Sequence, residues 1–442
     1  MRAIVLSLLL TVAASAGAET VTLLHFSDYH SHALPFYSEG KGEQGGIARA
    51  IGYLSRHKRR GALVFSGGDM MNKGAPAWSD KFGCAEWPWL NGIVDAMAFG
   101  NHDADYGHAE FVRCRDSVTY PILSANTNGF QPYVVLRARG LRIGVFAVAG
   151  SDFPQLVRIP EVQFSDRIAA ARAAVTALRD RENVDAVVLI GHESTEEDYA
   201  LARAVPGIDL IFGTHSHFKQ DLTRIDGTNT WFISPPQYLT YISRVELRFN
   251  RRELGGVSGG LVRVDESLPI DRSTRERVRK MQRALESDPA YAPLFVPFAT
   301  LRKAMTVEAL AQFSVDTMRA VTDADASLST ASSFRAALAA GPIDPETLRG
   351  ALPYDNEIVV AELPRDSYER LVAFGRSRPG TDAFAYISER GLPHGSSVRV
   401  ATTDYLARVA PGYRDFFTGV ELCPTGKRVR EEVRRALTTL IQ

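Results

Sequence analysis

The chain has no excess of charge of either sign, because 51 Lys and Arg residues balance 51 Asp and Glu residues. A formal net charge of zero argues against broad electrostatic binding to nucleic acid or to an anionic membrane, although a local basic site stays possible. There is no internal repeat and no low-complexity tract. The hydrophobic fraction of 45% and the charged fraction of 23% are typical of a soluble globular protein and exclude a disordered one.

Cysteine is scarce, with only Cys84, Cys114 and Cys423 in the chain. None of them falls in a C-x-x-C or Cys/His spacing, which excludes a zinc finger or a similar structural zinc site. A disulfide between Cys84 and Cys114 is compatible with their position in the same domain. The sequence leaves the connectivity open, and one thiol is left over.

No hydrophobic run is long enough to span a bilayer, but one shorter run opens the chain. Arg2 precedes an apolar stretch over residues 3–13, and small residues with A-x-A spacing follow it. This order predicts a signal peptide over residues 1–18, cleaved near Ala16–Ala18; the alternative is a buried first strand. No cysteine stands at the cleavage point to take a lipid, and the C-terminus is too charged for an anchor tail. We therefore expect a periplasmic or secreted protein without a membrane anchor.

A chain of 442 residues is too long for one ordinary core, so two domains are expected. Over residues 19–255, short apolar runs alternate with amphipathic helical patterns, which predicts a layered α/β domain. A charged helical stretch followed by three prolines predicts a linker with a helix over residues 256–300. A second domain then covers residues 301–442.

Polar side chains with metal-binding atoms follow five of the predicted strands, at the point where each strand ends. Since the carboxyl ends of strands in an open α/β sheet face one crevice, we expect these side chains to lie together. They are Asp28 and His30 after VTLLHFS, Asp69 after ALVFSGG, Asn101, His102, Asp103 and Asp105 after AMAFG, His192 after DAVVLIG, and His215 and His217 after DLIFG.

Each of these short motifs has an ordinary structural explanation when it is taken alone. An Asp-x-His pair can be a turn, Gly-Gly-Asp a tight turn, and Asn-His a helix cap. Five such accidents at five strand ends are improbable, so the joint occurrence predicts a metal site. The carboxylate, amide and imidazole groups suffice for two ions if Asp69 bridges them, and mixed N/O ligation suits Zn, Mn or Fe. Two metals about 3.5–4 Å apart can activate a bridging hydroxide and hydrolyse phosphate esters.

The ordered motifs DYHSH, GGD, GNHDADYG, GHE and GTHSH resemble those of the calcineurin-like metallophosphoesterases. Within that family the chain looks like the secreted 5′-nucleotidase branch, which carries a separate C-terminal substrate domain. The resemblance implies a four-layer αββα-type metallophosphoesterase domain, followed by a smaller α+β domain. It covers nearly the whole mature chain, with specific motifs in the first domain and looser ones in the second.

The resemblance also implies a role for each motif residue. Asp28, His30 and His217 would hold one metal, and Asn101, His192 and His215 the other, with Asp69 shared. His102 matches the family's catalytic histidine, which is not a ligand, and Asp105 matches the carboxylate that orients it. Asp103 stands where the family usually has Glu, a change that touches no ligand.

The second domain matches the family less closely. In STASSFRAALAAGPI, Arg335 falls on the arginine expected to meet the substrate's phosphate or ribose, but serines and alanine replace the family's glycines. Ile358 stands where the nucleotidases usually place a Phe against one face of the base. Tyr413 is the candidate for the opposite stacking residue. The alternative is that this domain only shapes the cleft.

The sequence thus predicts an exported two-metal phosphohydrolase for 5′-nucleotides or related small phosphate esters. One alternative keeps the metals and changes the substrate to a nucleotide sugar, a 2′,3′-cyclic nucleotide or a thiosulfohydrolase-type compound. A second alternative is a non-catalytic periplasmic binding protein. No nucleic-acid polymer is expected as a partner, and the oligomeric state stays undetermined.

Overall fold

The computed structural model describes residues 19–37, 43–74, 76–379, 381, 383–391 and 395–439. The expected signal peptide, residues 1–18, lies outside these ranges. Within them, no helix combines the length and the apolar character that a membrane crossing requires. The described chain forms two domains, and each is built on its own β-sheet core.

The first domain contains two large sheets and the helices that cover them. Its strands are β1 (Glu19–Phe26), β2 (Phe36–Tyr37), β3 (Glu43–Gln44), β4 (Leu63–Ser66), β5 (Ala96–Ala98), β6 (Ile122–Leu123), β7 (Tyr133–Ala138), β8 (Leu141–Phe146), β9 (Ala186–Leu189), β10 (Leu210–Phe212), β11 (Gln220–Arg224), β12 (Trp231–Ser234), β13 (Tyr241–Asn250) and β14 (Glu253–Arg263). Its helices are α1 (Ile47–Lys58), α2 (Ala77–Phe82), α3 (His108–Asp116), α4 (Phe153–Leu156), α5 (Arg167–Thr176), α6 (Thr195–Ala204) and α7 (Arg272–Glu286).

The two large sheets each have six strands. The first has the order β14-β13-β1-β4-β5-β6, with β1, β4, β5 and β6 parallel and β13 antiparallel to both of its neighbours. The second has the order β11-β12-β10-β9-β8-β7, with parallel central strands and an antiparallel strand at each edge. Parallel central strands place their carboxyl ends at one edge of each sheet.

The sheets pack face to face and helices cover both outer faces. Alternate residues such as Leu23 and Phe65 from the first sheet meet Val145 and Phe212 from the second in a buried apolar core. Helices α1, α2, α3 and α7 cover the outer face of the first sheet, and α5 and α6 cover that of the second. The expected four-layer αββα arrangement is confirmed.

A disulfide joins Cys84 to Cys114 across the segment that carries β5 and the GNHDADYG stretch. The sequence left the connectivity open between this pairing and others, and Cys423 is an exposed free cysteine. A closed loop of this length lowers the entropy of the unfolded chain and stabilises the fold by roughly 3 kcal/mol. The disulfide therefore fixes the segment that presents Asn101 and His102.

Residues 256–300 were expected to form a linker with a helix, and the structure assigns part of them to the first domain. Strand β14 pairs with β13 through Arg263, so the first sheet continues beyond residue 256. Helix α7 is present, and it buries Val278 and Leu285 against the first domain. The glycine-rich sequence of β14 lacks the alternation of polar and apolar residues that identifies a strand.

The second domain packs helices on both faces of one mixed sheet. Its strands are β15 (Ala299–Leu301), β16 (Ala326–Thr330), β17 (Gly341–Ile343), β18 (Glu357–Pro364), β19 (Ala385–Glu389), β20 (Ser397–Thr403) and β21 (Leu422–Arg428); its helices are α8 (Val307–Thr322), α9 (Pro345–Ala351), α10 (Arg365–Arg376), α11 (Asp404–Arg408) and α12 (Val429–Thr439). The sheet has the order β19-β16-β20-β18-β21. Helices α8, α9 and α12 cover one face, and α10 and α11 cover the other. This arrangement agrees with the smaller α+β domain that was expected.

Candidate functional site

The strand-end residues predicted from sequence meet at one edge of the first domain. The loops after β1 and β4 are joined by backbone hydrogen bonds, from Asp28 N to Gly68 O at 3.1 Å and from His30 N to Asp69 O at 2.9 Å. The loop after β10 joins them, because His215 N donates to Asp28 Oδ2 at 3.2 Å. Backbone N–H groups therefore hold these loops together, and no imidazole nitrogen is needed for these contacts.

The first group of potential ligands contains one carboxylate and two imidazoles. His217 Nε2 lies 3.1 Å from Asp28 Oδ1, and His30 Nε2 lies 3.9 Å from the same oxygen. The two ring nitrogens are 3.2 Å apart. Ligand atoms from Asp28, His30 and His217 thus converge as one group that could hold a metal ion.

A second group adjoins the first and contains Asp69, His192 and His215. His192 Nε2 is 3.3 Å from Asp69 Oδ2 and 3.8 Å from Asp28 Oδ1, so this ring contacts both groups. Asp69 also lies 3.8 Å from His30 Nε2 of the first group. Asp69 is therefore placed where a bridging ligand between two ions would be needed.

The chemistry of these donors fits divalent ions. Asp28 and Asp69 are 0% and 1% exposed, and the described residues supply no Lys or Arg ion pair to either of them. Two carboxylates buried together need a compensating positive charge. Asn101 Oδ1 and His192 Nε2 are buried acceptors without a hydrogen-bond partner in the described structure. Metal ions would satisfy both the charge and the unpaired atoms.

The remaining nitrogen of two of these rings is held by backbone. His30 Nδ1 lies 3.2 Å from Met71 O, and His192 Nδ1 lies 2.7 Å from Gly67 O. A ring nitrogen that faces a carbonyl must carry the hydrogen, which leaves Nε2 as the free lone pair. Both rings thus present Nε2 toward the carboxylates, as a metal ligand requires.

The backbone at these positions is unusual. A left-handed conformation costs a side-chain-bearing residue about 1–2 kcal/mol, so its repetition at one site points to a functional constraint. Five of the predicted ligands have φ between 47° and 55°: Asp28, His30, Asp69, His215 and His217.

His102 and Asp105 form a pair at the margin of the two groups. His102 Nδ1 lies 2.7 Å from Asp105 Oδ2, and Asp105 Oδ2 also accepts from Lys73 N at 2.9 Å. Burial alone would lower the pKa of His102, but the carboxylates of Asp105 and Asp69 outweigh it and raise that pKa well above its usual value. The raised pKa favours the protonated form of His102 beside the metal-binding groups.

Asp103 has a structural role that the sequence did not reveal. Its buried carboxylate accepts from Met70 N at 2.7 Å, from Gly100 N at 2.9 Å and from Asp69 N at 3.2 Å. Burial, together with the negative charge of Asp69, raises the pKa of Asp103 to about 7. This residue joins the loop of Asp69 to the loop of Asn101, so the position that departs from the family is one that shapes the site.

Two further residues at the site were not predicted. Asp152, in the loop after β8, has Oδ2 3.0 Å from His215 Nε2. It follows a strand end, so the reasoning applied to the other strands also identifies it. Tyr354 comes from the second domain and accepts a hydrogen bond from Arg335 Nη2 at 3.0 Å; only the tertiary structure identifies this residue.

The second domain delivers Arg335 to the metal-binding groups. Its Nη1 lies 3.4 Å from His217 Nε2, and Gln237 of the first domain donates to the Arg335 carbonyl at 3.2 Å. A cleft of about 620 Å³ opens beside it between the domains, lined by aromatic side chains that include Phe384 and Tyr386. The cleft could hold the organic part of a small substrate.

Tyr413 and Ile358 do not lie in this cleft. Tyr413 is 1% exposed, its ring packs edge-on against Phe374 at 5.0 Å, and its hydroxyl donates to Ala383 O. Ile358 is 0% exposed in the core on the opposite face of the sheet. The expectation that Tyr413 stacks on a base conflicts with this placement, since packing inside the domain covers its ring.

Comparison with known proteins identifies the class. The model of the calcineurin-like phosphoesterase family matches residues 21–219, which span the strand-end residues described above. Residues 21–219 therefore form a calcineurin-like phosphoesterase domain, as the motifs indicated. It is 26% identical over 332 residues to the protein UshA of Yersinia enterocolitica, covering 64% of this chain and 59% of that protein. It is 25% identical over 317 residues to the human 5′-nucleotidase, covering 62% of this chain and 54% of that protein.

The chain thus spans somewhat more than half the length of these relatives. Among solved structures, a 5′-nucleotidase precursor from Thermus thermophilus is similar with a TM-score of 0.76 and 21% identity, covering 96% of this chain and 97% of that one. The sulfate thiohydrolase SoxB of Thermus thermophilus is similar with a TM-score of 0.73 and 19% identity, covering 95% of this chain and 94% of that one. At these identities the likeness is one of two-domain fold.

Proposed function

We propose that this protein is a metal-dependent phosphoester hydrolase that holds two divalent ions and acts on 5′-nucleotides or related small phosphate esters. The observation that carries the proposal is the convergence of two buried carboxylates and four imidazoles beside the cationic His102. The family of the first domain and the 5′-nucleotidases among its relatives support the same reaction class.

The ligands are assigned to two ions, each Zn, Mn or Fe. Asp28, His30 and His217 would hold the first ion, Asn101, His192 and His215 would hold the second, and Asp69 would be shared between them. When bound, such ions activate water and neutralise the charge of the phosphoryl oxygens.

The protein's own residues supply the remaining chemistry. His102, kept protonated by Asp105, donates a proton to the leaving oxygen or stabilises the charge that develops on the phosphoryl group. Arg335 binds the phosphate as a second cation, and Tyr354 holds its guanidinium through the 3.0 Å hydrogen bond. The two cations come from different domains, and an ester bound at the metal-binding groups would contact both.

A second candidate function keeps this chemistry and changes the substrate to a compound without a nucleobase. The burial of Tyr413 and Ile358 favours it, because neither side chain can stack on a base in this arrangement. The aromatic rings of Phe384 and Tyr386 line the cleft instead. A sugar phosphate and a thiosulfohydrolase-type compound belong to this alternative. A nucleotide sugar or a 2′,3′-cyclic nucleotide carries a base, and the rings of Phe384 and Tyr386 would have to bind it.

The catalytic assignment is tested by His102→Ala. We expect turnover to fall by about 10²–10⁴-fold, because a positioned proton donor contributes that much. Metal content, measured by mass spectrometry of the purified protein, is expected to stay at the wild-type value. His108→Ala, further along the same stretch and exposed, is the matched control with unchanged turnover. Normal turnover in His102→Ala would refute the role.

The substrate is tested by hydrolysis with added Mn²⁺ or Zn²⁺ across AMP, a nucleotide sugar, a 2′,3′-cyclic nucleotide, a sugar phosphate and a chromogenic phosphodiester. Preferential release of phosphate from AMP supports the nucleotidase proposal. Activity that is restricted to the compounds without a nucleobase supports the second candidate function. Stoichiometric metal without turnover on any of them would contradict both.

A further inference from the structure

Asp152 makes a contact that the catalytic proposal does not use. Its Oδ2 lies 3.0 Å from Nε2 of His215, although the two residues are 63 positions apart. The remaining oxygen, Oδ1, is buried and has no hydrogen-bond partner among the described residues. The carboxylate is therefore directed at one ring nitrogen of a proposed ligand.

The loop that carries Asp152 is held rigidly against the site. Gly150 N donates to His192 O at 2.9 Å, and Ser151 N donates to Glu197 Oε1 at 3.2 Å. The next residue, Phe153, is 0% exposed and packs its ring against those of His192 and His215, at centroid distances of 5.8 Å and 6.3 Å. Asp152 is thus fixed relative to the ring of His215.

The contact determines which nitrogen of His215 can bind a metal. A neutral imidazole has one N–H donor and one lone pair, and a carboxylate accepts only from the N–H. Nε2 must therefore carry the hydrogen, which leaves Nδ1 as the nitrogen whose lone pair can bind a metal.

The other ligand histidines have weaker partners. His30 and His192 face backbone carbonyls through Nδ1, and Nδ1 of His217 is buried without a hydrogen-bond partner in the described structure. A carboxylate partner makes an imidazole a stronger ligand than a carbonyl does. The two metal-binding groups are therefore supported unequally.

We propose that Asp152 is a positioning residue that fixes His215 in the Nε2–H form and makes the Asp69, Asn101, His192 and His215 group the tighter of the two metal sites. This inference rests on the proposed metal centre. Removing the carboxylate frees the His215 ring to rotate and to exchange its hydrogen between nitrogens, and loss of such a partner typically costs about 10–100-fold in metal affinity.

The test is a Mn²⁺ titration of the metal-free full chain, with free Mn²⁺ measured by electron paramagnetic resonance. We expect two classes of site in the wild type. In Asp152→Asn the tighter class weakens by about 10–100-fold and the weaker class is unchanged. Glu197→Gln is the matched control, since this neighbouring carboxylate supports the same loop through Ser151 N without contacting a histidine, and its titration should equal that of the wild type.

Four outcomes would contradict the proposal. Unchanged affinities in Asp152→Asn, or equal weakening of both classes, would remove the positioning role and leave the proposed function intact. Loss of one ion at saturating Mn²⁺ would show that Asp152 is itself a ligand. Absence of Mn²⁺ binding by the wild type would overturn the proposed function and this inference together.

A second measurement uses only the wild-type protein, so its result does not depend on whether a variant folds. In long-range proton–nitrogen spectra of the Zn²⁺-loaded, histidine-labelled wild type, His215 should retain its hydrogen on Nε2 and bind through Nδ1. His30 and His192 should show the opposite pattern, because their Nδ1 atoms face carbonyls. Zinc bound through Nε2 of His215 would overturn the assignment.

Discussion

At the scale of single residues, the charge of His102 depends on its two carboxylate neighbours. Removing one of them by Asp105→Asn takes away stabilisation of the imidazolium, so the pKa of His102 falls. We expect the basic limb of the pH–kcat profile to move to lower pH by about 1 unit or more. The profile of His102→Ala, which has lost the group, should lack this limb altogether. A limb that stays in place in Asp105→Asn would show that another group titrates.

Gly100 shows how tightly the backbone is packed at the same site. A Cβ at this position would lie 2.2 Å from Asp69 N and 2.3 Å from Asp69 Oδ1. Gly100→Ala should therefore displace Asp69, lower the metal content and destabilise the protein by about 1–3 kcal/mol. Mass spectrometry of the metal and urea unfolding measure these effects. Gly260→Ala, where a Cβ would meet no heavy atom within 4 Å, should leave the metal content unchanged.

The convergence of the strand-end motifs could be predicted from the sequence, and contacts between the two domains could not. Asp69 and His192 were expected to lie together because the carboxyl ends of parallel strands lie at one edge of a sheet, and the structure brings them together. Tyr354 reaches the site from another domain, and no local pattern encodes that approach. Tyr413 was misassigned because a sequence does not distinguish an aromatic ring packed inside a domain from one that faces a cleft.

At the scale of elements, α9 of the second domain contacts the segment that precedes and begins α2 of the first. Glu346 Oε1 accepts from Ala77 N at 2.6 Å, and Arg349 donates to Gly74 O and lies 3.4 Å from Asp80 Oδ2. The same segment donates from Lys73 N to Asp105. The second domain is therefore linked to the His102–Asp105 pair through a short stretch of backbone.

Arg349→Ala should loosen this segment without removing a ligand. We expect faster amide hydrogen exchange over residues 72–82, turnover reduced by less than about tenfold, and unchanged metal content. Arg370→Ala is the matched control, because Arg370 forms an exposed ion pair within α10. Equal exchange over residues 72–82 in both variants would show that α9 does not support the segment.

Helices and strands could be predicted from the sequence wherever hydrophobic residues recur with a regular period. The spacing of apolar residues over 46–60 predicts a helix, which is α1, and the apolar run over 133–150 predicts a hairpin that turns near Arg139, which is the pair β7 and β8. Strand β14 was assigned to a linker because its glycines carry no side chain that could show alternation. The conformation of β14 depends on its pairing with β13. The residue pattern within one strand does not show which other strand it pairs with.

At the scale of the whole molecule, stability should depend on pH through Glu86. This buried carboxyl accepts from Tyr29 OH at 3.0 Å, and burial raises its pKa from 4.5 to about 7. The folded state therefore binds the proton more tightly than the unfolded state. The resulting stability is fully present below pH 4.5 and is lost as the pH rises through 7.

Glu86→Gln should remove this dependence, because an amide keeps the acceptor and cannot ionise. Relative to the variant, the wild type should lose about 3 kcal/mol of unfolding free energy between about pH 4.5 and pH 8. Urea unfolding of both proteins at several pH values measures the difference. If the unfolding free energies of the two proteins change with pH in parallel, the Glu86 carboxyl has an ordinary pKa.

The left-handed backbone of the five ligand positions has a consequence for how such a protein evolves. Each position would be more stable as glycine, which adopts φ near 50° without the strain of a side chain. If these residues bind metal ions as proposed, selection for the reaction holds Asp, His and the strain in place together. Once that selection ends, substitutions that erase the proposed metal site also relax the backbone, so this site is the region where a descendant without the reaction would diverge first.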